Sequence, residues 1–341
     1  MSEVNPLADV LVSPQLRGRR RTVQVVIGTQ QLGLLIANIV LFVVLSLTAS
    51  GFFTQTNFNA TGAAIAYTGI MSATATIVLI AGGLDLSVGG VLALAGQVLV
   101  WSLGQGWSAA AAIMLTLAFG VGCGLLNSTL IVRIGLNPLV VTIGTAFLFR
   151  GLAGYWTNGT PTVVTNQTIL DFGTLKWLGI PVAVDLMLGT FLAVWITLRF
   201  TRFGSNLYAT GGNIIAARLA GLSTGRIQTA AYVISATSAG LATIVLIGFQ
   251  GASIPVAASA SASVGVELTV LGAVILGGTG LLGGYGSVIG TLLGVILLGM
   301  LSSGLALLGV EASWQEISTG IALLLAVVID EVRRRRQEVR G

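Results

Sequence analysis

Between Arg21 and Asp85 the chain carries no charged side chain. A helix that crosses a lipid bilayer needs about 20 mostly apolar residues and satisfies its backbone groups internally, so an uncharged stretch of this length reads as more than one membrane-spanning helix. The remainder agrees: hydrophobic residues make up 55% of the chain and charged residues 8%, where a soluble domain carries roughly 25% charged. The fold class expected is therefore all-α, a polytopic membrane protein. Asp85 itself lies within GGLDLSVGG, Gly82 to Gly90, between apolar stretches. A carboxylate there is costly unless the backbone breaks and reaches water, protein or a cavity, so Asp85 marks a turn.

The 47 glycines suit helices that approach one another closely in lipid. The formal net charge of +5 comes from basic residues in short segments between apolar runs. That distribution is a topology signal and argues against a nucleic-acid partner. With no histidine and a single cysteine, Cys123, the chain has no disulfide, no zinc site of the Cys/His type and no histidine general base. Its one lysine, Lys176, stands between Leu175 and Trp177, so there is no phosphate-binding loop. No catalytic residue, metal site or cofactor is expected on this chain. If ATP drives it, ATP and Mg belong to a partner ATPase.

Arg17, Arg19, Arg20 and Arg21 precede an apolar run at about 32–50, which reads as an uncleaved first span because a secretory signal has an apolar core of only about 7 to 15 residues. Further spans are expected at about 61–81, 86–101, 109–131, from Pro138 onward, 185–198, 229–249, 267–276 and 287–308. A tenth ends at Asp330 and the run Arg333 to Arg336. Segments 155–184 and 252–263 then lie outside. Basic segments fall in the cytoplasm, with Arg150 near the outer end of the fifth span as the exception, and both termini are cytoplasmic. The organisation expected is a tail over 1–31, a transmembrane domain over 32–331 with a cytoplasmic loop at about 199–228, and a tail over 332–341.

Several residues carry two readings. Asp85, two residues before Ser87, either is the N-cap of a helix starting at Leu86 or has a direct role in the transport cycle or a subunit contact. Asn137-Pro138 is a helix start. Glu267 is either a first-turn carboxylate at the outer end of the eighth span or a group facing the pathway. Arg150 either snorkels to the interface or pairs within the bundle. Gly277 and Gly278 close a short, glycine-interrupted segment, the pattern of broken helices that line cavities. Asp85, Ser87, Asn137, Glu267, Gly277 and Gly278 are therefore the translocation or gating candidates. The GGLDLSVGG run is echoed from Gly277 to Gly284, which hints at an internal repeat.

The loop from Arg199 to Arg226 is too polar to span. It offers Gly211 and Gly212, an N-cap in Asn213, a short helix, and Gly221 as its stop. Ile215, Leu219 and Leu222 follow i, i+4, i+7, so the helix would present one apolar stripe with Arg218 beside it. Such a helix either lies on membrane lipid or docks a partner protein.

GGLDLSVGG at Gly82, NPLVVTIGT at Asn137, YATGGNIIAARLAGL at Tyr208, LGGTGLLGGYGSVIGTLLG at Leu276 and the closing LLLAVVID together resemble the permease subunits of bacterial ribose-type ABC importers, in one order and spacing over most of the chain. That family takes up ribose and related monosaccharides and, in one branch, autoinducer-2. The resemblance implies a multi-pass inner-membrane permease for a small neutral sugar or sugar-like solute. Its implied partners are an ABC ATPase, a periplasmic sugar-binding protein and a second permease, a copy or a relative. Tyr208 to Gly221 resembles the coupling loop, which makes Gly211, Gly212, Asn213, Ile215, Ala217, Arg218, Leu219, Gly221 and Leu222 the implied ATPase-coupling residues. Two positions depart: relatives commonly have an acidic residue at Ile214, and many have Asp at Thr269. A self-contained channel or ion-coupled transporter is the rival, and it would need carboxylates within the spans.

Overall fold

The computed structural model describes residues 14–253, 260–311 and, with a few gaps, 313–328. The expectations for the first residues of the N-terminal tail, for 254–259, and for Asp330 and the Arg333 to Arg336 run lie outside the described residues.

The helices are α1 (Pro14–Thr48), α2 (Gln55–Ile80), α3 (Val88–Gly104), α4 (Ala109–Ser128), α5 (Pro138–Thr157), α6 (Gln167–Thr174), α7 (Val182–Phe200), α8 (Arg202–Gly212), α9 (Ile214–Leu219), α10 (Thr224–Gln250), α11 (Ala260–Leu276) and α12 (Val288–Leu307). A further helical stretch covers 313–322. Four two-residue strands form two antiparallel pairs: β1 (Thr162–Val163) with β4 (Ala252–Ser253), and β2 (Lys176–Trp177) with β3 (Ile180–Pro181). Leu178 and Gly179, both at positive φ, make the two-residue turn of the second pair.

Side-chain caps set many of the helix starts. Thr54 accepts from the Asn57 N–H, Ser108 from Ala111, Asn137 from Leu139 at 2.9 Å and Ser287 from Gly290. The spans expected at 86–101 and 267–276 are short, and so are their helices. Among the described residues seven helices are long and apolar enough to cross a bilayer, while α3 and residues 265–276 of α11 are shorter apolar helices. The tenth expected span falls where only part of the chain is described. The shortness of α3 has a local cause: after α2 ends, residues 83–87 are non-helical and α3 starts only at Val88.

Helix α2 is the axis of the bundle, buried without interruption from Gly69 to Ile80 and packed on α7, α10, α11 and α12. Lipid offers no hydrophobic drive for helix association, so small residues and hydroxyl pairs hold the contacts. Thr74 and Ser238 join α2 to α10 at 2.6 Å, Thr76 and Thr291 join α2 to α12 at 2.8 Å, and Thr243 on α10 donates to the Leu92 carbonyl on α3 at 2.8 Å. Helix α1 lies at the rim against α12, held by Asn38 donating to the Leu293 carbonyl at 3.2 Å. The sequence echo has a structural counterpart. The α2–α3 and α11–α12 connections both leave a helix through glycines and begin the next helix after a serine, Ser87 before Val88 and Ser287 before Val288.

Candidate functional site

Two features stand at opposite ends of the bundle. At the end where α2 starts and α12 stops, a cavity of about 640 Å³ opens between α2, α11, α12 and the 313–322 helix, within the range that holds small-molecule ligands. Asn57, Thr61, Tyr67, Thr68 and Ser72 from α2, Thr269 from α11, Ser302 and Ser303 from α12, and Thr319 supply its polar lining, with no charged side chain among the described residues. Thr61 donates to Ser303 Oγ at 2.8 Å and Ser303 donates to Asn57 Oδ1 at 3.0 Å. Thr68, Ser72 and Thr269 donate back to carbonyls of their own helices at 2.7–2.9 Å. Hydroxyl hydrogens spent in this way leave oxygen lone pairs free to accept from a solute, a lining matched to a neutral molecule rich in hydroxyl donors.

None of these lining residues is among the sequence candidates, although a signal was present. Asn57, Thr61, Thr68 and Ser72 fall on one stripe of the 3.6-residue period, a polar line along an apolar helix. Thr269 is part of the cavity wall.

The candidates themselves are dispersed. Asp85 is buried, but it is not the cap of α3. That position is Ser87, and Asp85 Oδ1 accepts from the Ser87 N–H at 3.0 Å and its hydroxyl at 2.6 Å. Asn127 on α4 then donates to Ser87 Oγ at 2.8 Å, and the Ser235 hydroxyl on α10 also faces the carboxylate. The cap reading fails because the helix starts at Val88, two residues beyond the Leu86 start it assumed, with Ser87 at its N-cap. Glu267 is not at a helix end either, since α11 begins at Ala260; it is buried and ion-paired with Arg150 of α5, both against Gly89 of α3. The snorkelling alternative for Arg150 is thereby removed. Asn137 is an exposed helix cap. Gly277 packs on Gly290, where a Cβ would stand 2.4 Å from backbone, and Gly278 turns the chain at φ +85°.

At the opposite end, α8 and α9 form the expected loop helix and add a longer one before it. Gly211 and Gly212 end α8, and the Asn213 side chain caps α9 by accepting from the Ile215 and Ala216 N–H groups at 3.0 and 2.9 Å. Gly221, at φ +81°, terminates the segment. Ala217 is buried and roots α9, while Ile215 and Leu219 are 68% and 85% exposed. The expected three-residue stripe shrinks to these two, because α9 stops at Leu219 and Leu222 turns inward onto the core. Arg218 is exposed and bends back, its Nε donating to Thr224 Oγ1 at 3.0 Å.

The family profile described as "Branched-chain amino acid transport system / permease component" matches residues 57–327. The chain belongs to that family. It is 36% identical over 304 residues to the ribose import permease protein RbsC of Escherichia coli (strain K12), covering 88% of this chain and 93% of that protein. The L-arabinose ABC transporter permease protein AraH of Azospirillum brasilense is 33% identical over 337 residues, covering 98% and 96%. The autoinducer 2 import system permease protein LsrD of Photorhabdus temperata is 33% identical over 286 residues, covering 80% and 82%. The chain is thus a multi-pass inner-membrane permease subunit of an ABC importer, a transport component rather than an enzyme.

Proposed function

We propose that this permease passes a small, neutral, hydroxyl-rich solute of the monosaccharide class from periplasm to cytoplasm, with an ATPase on another polypeptide and a periplasmic sugar-binding protein as partners. The uncharged, hydroxyl-lined cavity carries the reading. A branched-chain amino acid, the solute in the family's description, would bring a carboxylate and an ammonium into a lining whose described residues offer no opposite charge, an expensive desolvation. The relatives named for ribose, L-arabinose and autoinducer 2 point the same way.

In this reading the α9 end and both termini face the cytoplasm, and the cavity opens toward the periplasm. A second permease, a copy or a relative, completes the pathway. ATP-driven closure of the ATPase moves α8 and α9 and alternates access to the cavity. The buried Asp85 and Ser87 tie α3 to α4, and the Arg150–Glu267 pair spans α3, so these groups shape the pathway without lining the cavity.

Reconstitution in liposomes tests the reading, with radiolabelled ribose, arabinose and leucine as probes. Uptake of a sugar is expected only when the ATPase, the binding protein and ATP are all present. Thr61→Val with Ser303→Ala is expected to lower it by about three- to tenfold, the worth of one or two hydrogen bonds. Uptake by this chain alone on a proton or sodium gradient, or uptake of leucine and no sugar, would overturn the proposal.

A further inference from the structure

Glycines from three distant parts of the chain meet at the α9 end of the bundle. A Cβ on Gly211 would stand 1.8 Å from the carbonyl oxygen of Ile80, one on Gly283 would stand 2.6 Å from the Cα of Gly82, and one on Gly284 would stand 2.6 Å from the Cα of Gly212. No side chain intervenes at these contacts. The Gly284 N–H donates to the Ile80 carbonyl at 2.9 Å, and the Tyr208 hydroxyl donates to the Gly286 carbonyl at 3.0 Å. Gly82, Gly283 and Gly284 also hold φ between +77° and +81°, a conformation open to glycine at little cost.

The meeting point links particular elements. Gly211 and Gly212 end α8, and the next residue, Asn213, caps α9. Gly82 begins the α2–α3 connection, and Gly283 and Gly284 lie in the α11–α12 connection. Helices α2, α11 and α12 are the helices that supply most of the cavity wall. Where side chains separate two elements, rotamer changes absorb small shifts; backbone lying on backbone, bridged by a main-chain hydrogen bond, leaves no such slack.

We propose that Gly82, Gly211, Gly283 and Gly284 are positioning residues that form a rigid joint, through which displacement of α8 and α9 reaches the cavity-lining helices. The proposal rests on the permease reading above. It separates docking from transmission: α9 receives the ATPase, and the joint passes the movement on.

The same glycine-to-alanine substitution, at the joint and away from it, tests the proposal. The permease is co-expressed with its partner ATPase and binding protein, and three quantities are read: recovery of the ATPase on the permease, ATP hydrolysis stimulated by binding protein, and sugar uptake per ATP. Gly189→Ala, on α7 and away from the joint, adds a Cβ that meets nothing within 4 Å, and it is expected to behave as the unsubstituted complex. Gly211→Ala is expected to recover the ATPase normally while uptake per ATP falls by about tenfold, within the range for substitutions along a coupling route. Normal uptake per ATP in an assembled Gly211→Ala complex, or equal loss in Gly189→Ala, would overturn the joint. If Gly211→Ala fails to assemble, Tyr208→Phe decides, because it only removes one hydroxyl. Uptake per ATP should then fall by about three- to fivefold with the ATPase still recovered, and an unchanged ratio overturns the proposal. If the unsubstituted permease recovers no ATPase, the permease reading falls and the joint with it.

Discussion

Arg150 and Glu267 are the only ion pair among the described residues, and each side chain is 8% exposed. They bridge α5 and α11 against Gly89, where a Cβ would stand 2.3 Å from Glu267 Oε2 and 2.7 Å from Arg150 Nη2. Taking one partner from a buried pair strands the other charge, whereas replacing both with apolar groups removes the desolvation cost together with the attraction. Arg150→Met or Glu267→Leu alone is expected to cost about 3 to 5 kcal/mol, and the two together far less than the sum. Unfolding of the detergent-solubilised variants in a double-mutant cycle checks this; additive losses would mean that the two charges do not depend on each other. Asp85 presents a different case, because its bonds to Ser87 both fall on one oxygen. Asp85→Asn keeps that acceptor and is expected to preserve stability and uptake. Asp85→Ala leaves the buried Ser87 N–H without its partner and should cost about 1 to 3 kcal/mol. Uptake lost equally in both variants, with folding intact, would instead assign a role to the charge.

Among the elements, α9 is short enough to depend on its ends: Asn213 caps it, buried Ala217 anchors it and Gly221 stops it. What remains outward is Ile215, Leu219 and Arg218. An apolar pair beside a guanidinium suits a cleft offering apolar surface and a carboxylate or helix end. Leu219→Asp and, separately, Arg218→Glu are expected to insert normally in the membrane yet lose co-purification of the ATPase and sugar uptake. Leu219→Asp is the cleaner of the two, since Arg218 also holds Thr224 at the start of α10. Normal ATPase recovery with weakened lipid association would place α9 on the membrane surface instead. The α4–α10 contact rests on a different device. A Cβ on Gly124 would meet the Val233 Cα at 2.6 Å, whereas one on Gly122 meets nothing within 4 Å. Gly124→Val should therefore push α4 off α10 and cost about 1 to 3 kcal/mol. Gly122→Ala should raise stability by about 0.5 to 1 kcal/mol, so a thermal-unfolding comparison in which the two variants match would show that the contact is loose.

At the scale of the whole molecule, the cavity and the docking helix sit at opposite ends of one bundle, and α2 runs from one to the other, with Asn57 in the cavity wall and Ile80 at the glycine joint. The membrane class, the helical breaks at Gly82 and Gly277, the start at Asn137-Pro138 and the Asn213-capped loop helix all followed from the sequence alone. Charge exclusion from lipid, capping chemistry and glycine turns act over a few neighbouring residues, so a linear pattern contains them. The hydroxyl cavity, the Arg150–Glu267 pair, the inward turn of Leu222 and the meeting of Gly82, Gly211 and Gly283 were decided by tertiary structure. Each depends on how far one helix is rotated about its axis and at what depth it meets another. In a soluble helix an apolar stripe reports that rotation. Here lipid and protein interior are both apolar, so α2 is nearly as hydrophobic on one side as on the other, and little beyond the sparse line of Asn57, Thr61, Thr68 and Ser72 marks which face turns inward.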